Sequence, residues 1–97
     1  SAGVNMGEMQ KVLQDKKDKK QFDENVRWIL ANQKDLIDNY PNRWVAIDNG
    51  AVQMAGPEFF PIFQAMHGRQ VLGGSFVFYY AAYSAVPIIL RHHQLPP

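Results

Sequence analysis

The chain has 97 residues, 46% of them hydrophobic and 20% charged, with a net charge of +1 and no cysteine. That length and composition fit one small folded domain with little room for a large internal site. The near-zero net charge excludes a strong field for nucleic acid or acidic lipid over the whole molecule, and the missing cysteine excludes disulfides, thiolate metal sites and a thiol nucleophile.

The charges are unevenly divided. After Glu58 only Arg69 and Arg91 are charged, and residues 70–90 carry no charge at all. A soluble monomer spreads charge over its surface, so this half is expected to be buried in a core, a partner or a bilayer. The first 20 residues lack the apolar core of a secretory signal, and a cytoplasmic setting is therefore expected.

Residues 1–21 read as a charged, partly helical or flexible arm, in which Val4, Met6, Met9, Val12 and Leu13 precede the run Asp15 to Lys20. Lys16, Lys17, Lys19 and Lys20 could contact phosphates, but Asp15 and Asp18 dilute their field, and a solvated arm explains the run more simply. A single α+β domain is expected over residues 22–97. Its first helix is predicted from Asp23 to Asn39, where Phe22, Val26, Ile29, Leu30, Leu36, Ile37 and Tyr40 recur on one helical face, and Pro41 stops it. Asp23 and Glu24 suit its positive end, and Trp28 flanks the apolar stripe.

Trp44 to Gly56 then reads as a β-hairpin around Asn49-Gly50, the dipeptide best suited to the positive φ angles of a type I′ turn. A two-residue turn sets Ile47 opposite Val52 and Val45 opposite Met54, so that four apolar side chains share one face. The other face, with Trp44, Ala46, Ala51 and Ala55, is mostly small, and a hairpin apolar on both sides suggests a central place in a sheet or an edge used by a partner.

Together with Asn39-Tyr40-Pro41-Asn42-Arg43 before it and Pro87-Ile88-Ile89-Leu90-Arg91 after it, this stretch resembles a family of small uncharacterised bacterial and archaeal domains. In that family a helix, a tyrosine-proline stop, a Trp-Val-Ala-Ile strand and a glycine turn precede a second helix and a last strand. The resemblance covers about half the chain and implies a compact α+β fold with no catalytic residues to carry over. The stretch from His67 to Ala85 departs from the pattern, being longer and more apolar.

Gly56-Pro57 ends the hairpin, and Pro61 can open a short helix through His67 made greasy by Phe59, Phe60, Phe63 and Met66, broken at Gly68 or at Gly73-Gly74. From Ser75 onward Phe76 to Tyr80 has strand propensity, whereas Ala81 to Val86 prefers helix, so this apolar insertion can be read either way. Ile88 to Leu90 reads as a final strand. Residues 71–90 are long enough to span a bilayer, but Gly73, Gly74, Pro87 and the mid-segment tyrosines weigh against it.

Catalytic signatures are weak. Asp48-Asn49-Gly50 is faintly like the Asp-Thr-Gly of aspartic proteases, yet Asn49 lacks the hydroxyl that supports such a site and a turn explains all three residues. His92 and His93, if on a strand, point to opposite faces and do not easily chelate one ion; with His67 they make at most a cluster, which a tail near the terminus explains more simply. No glycine-rich phosphate loop follows a strand. Eighteen large apolar or aromatic residues lie between Phe59 and Leu95. Leaving even five exposed would forgo about 7 to 15 kcal/mol, as much as a small domain's whole stability.

The sequence thus points to a non-enzymatic assembly or accessory module, with no cofactor, metal or small-molecule substrate, that buries its aromatic half in a homo-oligomer or larger complex. Phe59, Phe63, Phe76, Phe78, Tyr79, Tyr80 and Tyr83 are the expected interface anchors, and Asn49 and Gly50 the structural turn. The alternatives are membrane association through residues 71–90 and nucleic-acid binding through the lysines of the arm.

Overall fold

A computed structural model describes residues 6–69 and 75–97. In chain order the elements are α1 (Met6–Ala31), α2 (Gln33–Asn39), β1 (Trp44–Asp48), β2 (Ala51–Gly56), α3 (Phe59–Arg69), β3 (Val77–Tyr80) and β4 (Ile89–Arg91). This is the α+β succession of helix, hairpin, helix and final strand expected from the sequence, with one further strand. The four strands form an antiparallel sheet in the order β2-β1-β3-β4.

The sheet is covered on both faces. Val45, Ile47, Val77 and Tyr79 form one core with Ile29, Leu36 and Ile37 of α1 and α2. Ala46, Phe78 and Leu90 form a second with Phe59, Ile62 and Met66 of α3. Strict alternation along β1 and β3 sends successive side chains to opposite layers, so both strands read as continuous apolar runs. Most large apolar residues of the described second half are therefore covered within this chain, with Phe60, Tyr83, Val86 and Leu95 left exposed. The two charges of that half are also engaged, since the Arg91 guanidinium lies 4.1 Å from the centre of the Phe22 ring and Arg69 Nη1 donates to the Gln53 carbonyl at 3.5 Å.

The single helix predicted from Asp23 to Asn39 is corrected twice. Helix α1 begins at Met6, so the expected arm continues without interruption into it, and the helix breaks at Asn32, where φ is −121° and ψ 18°. At the break the Asn32 N–H donates to the Ile29 carbonyl at 3.0 Å instead of the Trp28 carbonyl one residue earlier. The Trp28 carbonyl is satisfied by Asn32 Nδ2 at 2.8 Å. The side chain thus replaces the missing backbone donor, which lets the axis change direction without leaving a helical carbonyl unpartnered.

The turn forms as predicted, with φ of 52° at Asn49 and 67° at Gly50. A Cβ on Gly50 would lie 3.3 Å from Trp28 Nε1, so the turn rests against the indole edge. The hairpin register is corrected in its second half. Ile47 pairs with Val52 as expected, but Ala46 pairs with Met54 and Val45 with Ala55, because Gln53 is accommodated as a bulge. Val52 accordingly joins the α1/α2 core and Met54 the α3 core, and the four-residue apolar face is not formed.

The undecided stretch resolves as strand through Tyr80 and irregular backbone from Ala81 to Ile88. Pairing of Val77 to Tyr80 with β1 on one side and of Val77 to Tyr79 with β4 on the other supplies the strand partners that local propensity cannot reveal. The second helix runs past Gly68 to Arg69, and the proposed break at Gly73-Gly74 lies outside the described residues.

Candidate functional site

Three surface features stand out. The first is the leading half of α1. A 26-residue helix is about 39 Å long, in a molecule whose longest dimension is 57 Å against 26 and 24 Å for the others. Residues Met9 to Lys17 are all exposed, and the first partly buried residue is Asp18. Met9, Val12 and Leu13, each about half exposed, recur at helical spacing. At 3.6 residues per turn they lie on the side opposite Asn25 and Ile29, which face the sheet. The exposed stretch from Met9 to Lys17 is shorter than the about 12 to 15 residues below which an isolated helix is marginal in water.

The second feature is a polar clip where α1 crosses the hairpin turn. Asn25 is 3% exposed. Its Nδ2 donates to Asp48 Oδ1 at 3.0 Å and to the Ser75 carbonyl at 2.9 Å, and its Oδ1 accepts from the Asn49 N–H at 3.2 Å. Gln21 Nε2 donates to the same Asp48 oxygen at 2.7 Å. Asp48, Asn49 and Gly50 are thus a structural anchor for the turn, with the Asp48 carboxylate occupied by donors of α1.

The third is a cleft of about 410 Å³ between the α1–α2 break and the hairpin turn, lined by Trp28, Asn32, Asp35, Asn39, Tyr40 and the residues at Gly50 to Val52. Trp28, Asn32, Asp35 and Asn39 follow one another at intervals of four, three and four residues, and the cleft brings them together across the break at Asn32. Sequence reasoning missed this set, although that spacing was its visible signal; attention to the apolar stripe on the neighbouring face hid it.

The expected interface anchors are dispersed. Phe59, Phe76, Phe78 and Tyr79 are buried in the chain's own core, Phe63 and Tyr80 are half-buried, and Tyr83 alone of the seven is exposed. Trp44, Phe59, Phe63, Phe76, Phe78 and Tyr80 make an internal ring cluster with centroid separations of 5.0 to 5.9 Å. Burial pushes the Tyr79 hydroxyl above its ordinary value, nearby Tyr83 adds to the effect, and the hydroxyl donates to Gln33 Oε1 at 3.4 Å. The buried positions cannot serve as anchors on this surface.

Lys17 and Lys20 line a shallow depression with Gln21, Glu24 and Asn49, so acid and amide groups interrupt the basic run in space as they do in sequence. Of residues 71–90, those from 75 onward supply β3, β4 and the link between them, and the first four lie outside the described residues. Among the described residues no helix is long and apolar enough to cross a membrane.

The histidines come together just after β4 without forming a ligand set. The His67 Nε2–H donates to the His92 carbonyl at 2.7 Å, and the ring centroids of His67 and His92 are 6.5 Å apart. Among the described residues no group of three His, Cys, Asp or Glu could hold a metal ion. Burial pushes His92 below the ordinary imidazole value of 6.5, His93 and His67 push the same way, and Asp18 opposes them. An imidazole with a lowered value in the folded chain takes up its proton more readily when unfolded, so its stabilising contribution is complete above pH 6.5 and falls as pH drops through that value. The melting temperature is expected to decline between pH 7.5 and 5.5, and to decline less in His92→Gln; equal slopes would remove His92 as the cause. No protein-family model, curated protein or solved structure matches this chain.

Proposed function

We propose that this protein is a non-enzymatic assembly module that self-associates through the leading half of α1, burying Met9, Val12 and Leu13 between copies. The observation that carries this reading is a helical segment exposed on every side, with its apolar residues gathered on the face turned away from the sheet. A helix of that kind gains little from its own backbone and is stabilised by a second apolar face. A second copy presents the same stripe, and a two-fold pairing of identical stripes is self-complementary. The interface thus moves from the aromatic half, whose rings fill the core, to the end of the molecule that makes no core contact.

Sedimentation of the wild type and of the double variant Met9→Lys/Leu13→Lys tests the proposal. The wild type is expected to sediment as a dimer at micromolar concentration and the variant as a monomer with unchanged near-ultraviolet circular dichroism. A wild-type monomer at every concentration, with α1 fully helical, would overturn it.

A further inference from the structure

We infer that the cleft between the α1–α2 break and the hairpin turn binds a primary alkylammonium group. This is independent of the assembly reading, since the cleft lies at the opposite end of α1 from Met9 and Leu13. Its volume of about 410 Å³ lies within the range of small-ligand sites. Asp35 is the one charged residue lining it, so the local field favours a cation. Trp28 and Tyr40 line the same space, and aromatic faces attract a cation that has lost part of its hydration shell.

The carboxamides narrow the class. An ammonium brings three N–H donors that need acceptors. The Asn32 side chain already spends Nδ2 on the Trp28 carbonyl, which leaves Oδ1 as its remaining polar atom, and Asn39 lies two helical turns further on the same face. Asp35 lies about one helical turn from each, so its carboxylate and one of the two carboxamide oxygens take two of the three donors and water takes the third, whereas a single carboxylate is too few ligands for a hard metal ion. The Gly50 turn, which lines the same cleft, rests on the edge of the indole and limits its movement.

The test is an amide nitrogen–proton NMR titration of the intact protein with n-butylammonium, and in parallel with 1-butanol and tetramethylammonium. Saturable shifts are expected at the Trp28 indole N–H and at the Asn32 and Asn39 side-chain amides with n-butylammonium, weaker binding of tetramethylammonium, which has no N–H to donate, and no saturation with the neutral alcohol. Asp35→Asn is expected to weaken n-butylammonium about tenfold. Asp35 is exposed, and the dispersion of the same spectra reports whether the variant is folded; Asn39→Ala, also exposed, is the second variant and is expected to weaken binding as well. Equal titration by 1-butanol, equal affinity for tetramethylammonium, unchanged affinity in both variants, or no shift at these signals would overturn the inference.

Discussion

Phe78→Ala is expected to destabilise the protein by about 3 to 5 kcal/mol, the range for truncating a fully packed phenylalanine. Phe78 is 0% exposed at the centre of β3. Its ring lies 5.0 Å from Phe59, 5.4 Å from Phe76 and 5.9 Å from Phe63, measured between centroids. Truncation leaves a cavity bounded by rigid rings, which collapse poorly around a void. Because a small domain has only about 5 to 15 kcal/mol in total, the variant is expected to unfold at a much lower denaturant concentration with an unchanged slope. A loss below about 1 kcal/mol, the size of a tolerated volume-conserving swap, would mean that this ring is not close-packed against its neighbours.

Asn25→Ala is expected to cost about 1 to 3 kcal/mol, although it removes only a small polar side chain. The amide bridges three elements through Asp48, the Ser75 carbonyl and the Asn49 N–H. Removing it takes the donor from the buried Ser75 carbonyl, which then carries a desolvation penalty of about 1 to 3 kcal/mol unless water reaches it, while Asp48 Oδ1 keeps Gln21 Nε2 and the Asn49 N–H keeps Asp48 Oδ1. Asn25→Asp is expected to be worse, since it replaces the donor facing Asp48 and the Ser75 carbonyl with a second carboxylate. Chemical denaturation of the two variants checks both magnitude and order. An aspartate variant more stable than the alanine variant would mean that Nδ2 of Asn25 does not face Asp48 and the Ser75 carbonyl.

Much of the fold is legible in the sequence, and the failures are specific. Asn49-Gly50 announces its turn because few other dipeptides tolerate two successive positive φ angles. The break at Asn32 is silent because the apolar stripe keeps its period on either side, while the compensating bond from Asn32 to Trp28 is a three-dimensional event. The start of α1 is equally hidden. Residues 9–17 touch no core, so nothing in their mixed charges distinguishes a projecting helix from a loose arm.

The fate of the aromatics turned on the number of layers. A count of large apolar residues after Phe59 predicts excess hydrophobic area if the sheet has one buried face. With α1 and α2 on one side and α3 on the other, β1 and β3 bury every residue of their alternation apart from their half-buried ends, and the excess shrinks to Phe60, Tyr83, Val86 and Leu95 among the described residues. One chain's pattern shows that a strand is apolar on both sides but not whether the second cover comes from itself or from a neighbour. The cleft was readable in principle from Trp28, Asn32, Asp35 and Asn39, but polar spacing on a helix acquires meaning only when an opposing turn is known to close over it.

The bulge at Gln53 works as a shift of reading frame. Val52 and Met54 are two positions apart and would ordinarily point the same way, yet each contributes to a different layer of the molecule. One six-residue edge strand thereby supplies side chains to both covers of the sheet, and the tally of inserted or deleted residues in β2, more than their chemical character, sets which of its side chains each layer receives.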